Sequence, residues 1–261
     1  MQPIIFWHGV ILIISLLSVS FSSANGIKPI PSLNKILEKT PSYSVGKNTS
    51  FHEIEYSIKK FYYQIQYQEQ KLTVLNEVKG HFKKSISKAE EKYEEGEEDI
   101  SQSDITKLKL GLAGTLNDIY EVETGLKISR LSLTNILNNE YQINAKLLNP
   151  IILPLKFDYE DYEGWFKQNI KIPELRKKTF LLKKAFLKVN KTKKKMQLAR
   201  KNRKMTRALL VSEVANYDFG IGDPGDLFQA LIIYTRVLSG YYESVYKFNL
   251  SIAELDRDNK L

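Results

Sequence analysis

One short pattern occurs twice in this chain, Tyr93-Glu-Glu-Gly96 and Tyr217-Asp-Phe-Gly220. Each copy closes a long stretch of helical periodicity, and each is followed by an acid and a second such stretch. Behind the glycines the two copies match at an offset of 122 residues: Asp104 with Asp226, Leu116 with Leu238, Tyr120-Glu121 with Tyr242-Glu243, Ser129 with Ser251 and Leu133 with Leu255. Shared heptads explain matching apolar positions, but not the matching Asp, Tyr-Glu and Ser. Ahead of the glycines the offset is 124, so the first turn holds two extra residues. A repeat of this length predicts two copies of one helical hairpin, stacked because neither hides its apolar face alone.

The apolar spacing agrees. Ile54, Ile58, Phe61, Ile65, Leu72, Leu75, Phe82, Ile86, Ala89 and Tyr93 step by three and four, the stripe of a coiled coil. They predict a helix from Ser50 to Glu95, stopped by Gly96, which adopts a left-handed backbone without steric cost. A second helix is expected from Ser103 or Asp104 as cap, with a seam running from Ile105 and Leu108 to Leu133 and Ile136. Gly111, Gly114 and Gly125 weaken it intrinsically and admit close neighbours. Pro150, Pro154 and Pro173 exclude one continuous helix over 138–172, where 157–166 reads as a short docking helix. A third long helix is expected from Pro173 to Tyr217, with Leu182, Ala185, Val189, Met196, Ala199 and Leu210 inward. The fourth opens at Asp223-Pro224, a cap followed by proline at the first helical position. It carries two stripes, Leu227 to Leu255 and Leu231, Leu238, Val245, Ile252. The second stripe is assigned to contacts between copies of the chain.

The expected fold is therefore all-α: two long antiparallel coiled-coil hairpins, four long helices in all, with no substantial β-sheet. The expected divisions are a signal peptide over 1–24, a linker over 25–50, a first hairpin repeat over 51–137, an irregular connector over 138–172 and a second repeat over 173–258. Ile4 to Phe21 is almost wholly apolar and Ser22-Ser23-Ala24 reads as a cleavage site, so the chain is expected to be exported. The alternative is an uncleaved anchor, since the run approaches the length of a spanning helix.

Catalysis is not expected. With no cysteine and three isolated histidines there is no disulfide, no thiolate and no metal-ligand spacing. Nucleophile elbows and phosphate-binding glycine loops are lacking too, so no cofactor is expected. Charge is segregated instead. Seven of the ten residues from Glu90 to Asp99 are acidic, while Arg176–Arg207 holds fifteen Lys or Arg and no acid. One reading is a solvated coiled-coil face. The other is a polyanion surface at Lys183, Lys184, Lys193, Lys194, Lys195, Arg200, Arg203 and Arg207, for anionic lipid or lipopolysaccharide. Export and the scarcity of interleaved aromatics argue against nucleic acid.

The residues resemble the TolC-like outer-membrane efflux family over roughly 51–258. The second copy carries most of the likeness: Tyr217-Asp-Phe-Gly220, then Gly222-Asp-Pro-Gly-Asp226, Ala230, Tyr234, Phe248-Asn249 and Leu255. Ile172-Pro-Glu-Leu-Arg176 is similar to the family's midchain segment. The resemblance implies an outer-membrane efflux component in the periplasm and outer membrane, assembled as a trimer, with a periplasmic adaptor and an inner-membrane transporter as partners. It implies adaptor contact at Tyr93, Gly96, Phe219, Gly220 and Gly222. It implies a gate at Tyr217 and Asp226, with Asp104 as the acid of the first copy, displaced by the longer turn. Two departures stand out. Gly222 occupies a position where the family often has a base, and no segment has the paired alternating strands a transmembrane barrel needs. The alternative implied by the residues alone is a periplasmic structural or adaptor coiled coil that binds anionic envelope polymers through its basic helix.

Overall fold

The structure, a computed structural model, describes residues 27–46, 48–96, 100–170 and 179–260. The leader and the Ile172–Arg176 segment lie outside the described residues. The fold is all-α. Two short helices, α1 (Leu33–Glu38) and α2 (Thr40–Ser44), precede the rods α3 (Phe51–Glu94) and α4 (Gln102–Ile136). A short α5 (Tyr162–Asn169) then leads to α6 (Thr179–Asp218) and α7 (Pro224–Lys260). Among the described residues there is no strand, only an isolated parallel bridge between Ile30 and Leu147.

Local chemistry sets the ends of the rods. Ser50 accepts the Glu53 N–H at 3.2 Å, and Glu53 favours the positive end of α3. Gly96 and Gly220 take φ of 80° and 78°, so both rods turn at the expected glycines. The start of α4 differs from expectation. Ser101 is the cap: it accepts the Asp104 N–H at 3.2 Å while the Asp104 carboxylate turns back to the Ser101 N–H. Asp104 is thus the third helical residue of a capping box and not a cap itself.

The four rods form a layer in the order α4, α3, α7, α6, neighbours antiparallel. Helix α7 packs against both α3 and α6. Both of its stripes are consumed in doing so: Leu231, Leu238, Val245 and Ile252 are all at most 8% exposed. The second stripe therefore does not serve contacts between copies, because the chain's own α3 and α6 cover it. Each such residue contributes roughly 1.5–3 kcal/mol of burial. Phe82 and Phe228 meet at 6.2 Å where α3, α4 and α7 converge over Gly111. Tyr93, counted with the seam of α3, is instead half exposed in its last turn. Along α6 the seam includes Phe186, Thr206 and Tyr217, which the apolar spacing did not single out.

The connector is pinned to the rods by buried polar groups. Asn249, fully buried on α7, accepts the Leu155 N–H at 2.9 Å and donates to the Leu153 carbonyl at 2.8 Å. The N-terminal segment is held by Glu140, which accepts from Tyr43 Oη at 2.8 Å and from Lys28 Nζ and Tyr141 Oη at 3.1 Å. The Tyr43 hydrogen bond, followed by those of Lys28 and Tyr141, holds the Glu140 carboxyl down at about 2 against an ordinary 4.5. A depressed carboxyl stabilises the fold above its unfolded value and loses that contribution as pH falls from about 4.5 to about 2. The wild type should exceed Glu140→Gln by roughly 1 kcal/mol at pH 7, screening included. Urea midpoints measured from pH 7 to pH 2 should converge. Parallel curves over that window would show that Glu140 is not the responsible group.

Candidate functional site

At one end of the rods, Lys92 and Ile100 lie beside Tyr217, Gly220 and Gly222 of the second turn. Tyr217 is buried there and donates its hydroxyl to the Ser85 carbonyl at 3.1 Å, which ties the second turn to α3. Burial, then the charge of Asp218, pushes its phenol up to about 12. Lys88 reaches across from α3 and donates to the carbonyls of Tyr217 and Asp218 at 2.8 and 2.7 Å. It thereby satisfies end carbonyls that α6 leaves open. Lys84 adds an ion pair to Asp218 at 2.7 Å. Neither lysine stood out in the sequence, since each is one of many in a charged helix.

The other tip residues divide by exposure. Phe219 and Ile221 project into solvent at 81% and 80% exposure. Apolar side chains this open at a turn contribute nothing to the fold of one copy. Tyr93 is also open, and Asp226 is exposed in the first turn of α7. Asp104 is engaged in its capping box and paired with Lys107 at 3.0 Å. The hydrogen bond from Ser101, followed by that from Lys107, lowers its pKa. Gly222 leaves no room for a side chain: a Cβ there would lie 2.8 Å from the Tyr217 nitrogen.

The basic residues of α6 also separate. Lys193 donates to the Phe157 carbonyl at 2.6 Å, Arg203 lies 4.5 Å over the Tyr241 ring, and Lys183 stands 3.9 Å from Glu163. Lys184, Lys194, Lys195, Arg200 and Arg207 are exposed and make no ion pair with a described residue. Among the described residues no group of three His, Asp or Glu could hold a metal ion, and no helix is long and apolar enough to cross a membrane.

Solved structures share this architecture. The chain superimposes on the outer-membrane channel OprN with a TM-score of 0.62 at 10% identity, over 87% of this chain and 70% of that one. It superimposes on CusC, described for its folding and transmembrane channel formation, with a TM-score of 0.61 at 10% identity, over 87% and 71% of the two chains. No protein-family model and no curated protein matches the chain. The likeness is one of fold: a layer of long antiparallel rods of the kind found in outer-membrane channels.

Proposed function

We propose that this chain is the α-helical tunnel segment of a TolC-like outer-membrane efflux system. It acts as a conduit and not as a catalyst, exported to the periplasm and outer membrane. Several copies, three by the resemblance, enclose the path. The tips meet a periplasmic adaptor that links to an inner-membrane transporter. The observation that supports this reading best is the layer of rods shared with OprN and CusC, ending in two turns with exposed Phe219 and Ile221. Tyr217 and Asp226 are the gate residues, and Tyr93, Gly96, Phe219, Gly220 and Gly222 form the adaptor-facing tip.

A second reading is favoured by the unpaired cations of α6: an envelope coiled coil holding lipopolysaccharide or anionic lipid. One experiment separates the two. Cells lacking the gene should accumulate export-substrate dyes several-fold, with recovery on re-expression of the wild type but not of Phe219→Asp. Unchanged accumulation across a broad panel of dyes and metal ions sinks the conduit reading. Lipopolysaccharide binding by the purified chain that collapses between low and high salt, and disappears in a Lys184→Gln, Lys194→Gln, Lys195→Gln variant, would then support the second.

A further inference from the structure

A groove runs along α6 where that helix packs on α7. Its upper part spans about 620 Å³ between Arg203, Lys204, Arg207 and Val211 of α6 and Leu238 and Tyr242 of α7. Its lower part, of about 360 Å³, shares Arg207 and Val211 and continues past Val214 to Phe219. Buried Tyr234 of α7 floors this lower part, and Glu77 and His81 of α3 stand at its rim. From Arg203 to Phe219 the groove follows α6 for about 24 Å.

Charge in the groove is sorted from one end to the other. The two acids of the lower part are already engaged: Glu77 accepts from Tyr234 Oη at 2.9 Å, and Asp218 pairs with Lys84 at 2.7 Å. The three cations of the upper part make no ion pair with a described residue. Arg203, half-buried, is held only by its seat 4.5 Å over the Tyr241 ring, while Lys204 and Arg207 are exposed. Arg207 follows Arg203 by four residues and Lys204 by three, so the like charges face one another on the helix surface and repel. A bound anion relieves that repulsion. Beyond Arg207 the α6 wall turns apolar, and Val211 and Phe219 stand 64% and 81% exposed along it.

We propose that this groove binds a fatty carboxylate, a single-chain anionic amphiphile, with its head among Arg203, Lys204 and Arg207 and its tail along Val211 and Val214 toward Phe219. Arginine offers paired N–H groups that match a carboxylate. The stretch from Arg207 to Phe219 is about 18 Å, room for a long acyl tail. A bare inorganic anion would leave that apolar length uncovered, and a neutral alkyl chain would leave the cations unpaired. The site is separate from the upper bases of α6: Lys195, the nearest of them, lies about 12 Å above Arg203 along the helix. The proposal goes beyond the conduit reading and holds with or without it.

Displacement of a fluorescent fatty-acid probe from the purified full-length chain tests it, with every competitor kept below its micelle concentration. Affinity should climb about two- to fourfold per methylene from octanoate to tetradecanoate, then flatten as the tail outruns the groove. Tetradecanol, with the same tail and no charge, should bind about tenfold or more weaker. Lys204→Gln/Arg207→Gln should weaken tetradecanoate by about tenfold or more and leave tetradecanol unchanged. Val211→Glu, at an exposed position, should weaken tetradecanoate to a similar degree by placing an acid beside the tail. Lys127→Gln on α4, which removes one positive charge elsewhere, should change nothing. Affinity that ignores tail length, or an equal loss in Lys127→Gln, overturns the proposal by reducing the cations to general surface charge. Capture by phosphatidylglycerol vesicles that needs Lys204 and Arg207, with no displacement of the probe by free tetradecanoate, overturns it in favour of contact with a bilayer.

Discussion

Phe82→Ala should destabilise the chain by about 3–5 kcal/mol, the usual range for deleting a fully buried aromatic ring. Phe82 is 0% exposed and belongs to the tip-proximal core with Val78, Ile86, Leu108, Leu227 and Leu231. Its ring fills the junction of three rods, because Gly111 of α4 gives it room and Phe228 of α7 closes over it. Truncation leaves a hole that none of the three helices can close alone, since each is held along its whole length by other contacts. Urea unfolding followed by circular dichroism measures the loss, and a change below 1 kcal/mol would refute the junction role. The partner substitution adds a sharper test. A Cβ on Gly111 would stand 2.6 Å from the Phe82 ring, so Gly111→Ala should cost about 1–3 kcal/mol by overpacking. In the double variant Gly111→Ala/Phe82→Ala the added methyl occupies part of the vacated space. The combined loss should then fall short of the summed single losses by about 1 kcal/mol or more.

The rods were legible in the sequence because their signal is long and local. The three-four spacing of Ile54 through Ala89 marks a helix whatever it packs against, and Gly96 and Gly220 end helices for reasons of backbone conformation alone. Burial along α6 was harder to read. Its seam carries Thr206 and an arginine over Tyr241, and other apolar residues such as Leu198 and Met205 lie exposed among its bases, so Phe186 and Tyr217 emerge as core only when α7 is in place. The two stripes of α7 were visible, but their covering was not. A sequence shows that a face is apolar; it does not show whether α3 or another copy lies on it. For the same reason the tip could be located from Tyr217 and Gly220, while Lys88, which holds the end carbonyls of α6 from a different rod, could not. The capping box at Ser101 was readable in principle, as a serine three residues ahead of an acid. The adjacent Ser103-Asp104 pair offered a competing cap of equal chemical merit.

At the second tip, Gly220 and Gly222 should respond to substitution in opposite ways, although both are glycines of one turn. Gly220 needs its residue type for conformation. Its φ is 78°, and the nearest group to a Cβ there is the flexible end of Lys92, 3.9 Å away. Gly220→Ala should cost about 1–2 kcal/mol for the left-handed backbone, and Gly220→Asn less, because asparagine tolerates that region. Gly222 needs its residue type for space. A Cβ there would lie 2.8 Å from the Tyr217 nitrogen and 2.9 Å from the Asn216 carbonyl carbon, which are backbone atoms and cannot swing aside. The Gly222 N–H also donates to the Asn216 carbonyl at 3.1 Å, so the turn cannot widen without losing that bond. Gly222→Ala should therefore cost about 1–3 kcal/mol, and Gly222→Asn should be worse than alanine. Because Tyr217 is tied to α3 both by its hydroxyl on the Ser85 carbonyl and by Lys88 on its own carbonyl, the displacement should spread into α3. Faster amide hydrogen exchange at residues 216–222 and at the end of α3 would report it. Thermal unfolding of the four variants gives the order, and asparagine milder than alanine at both glycines would show that Gly222, too, is conserving a backbone conformation and not a close approach.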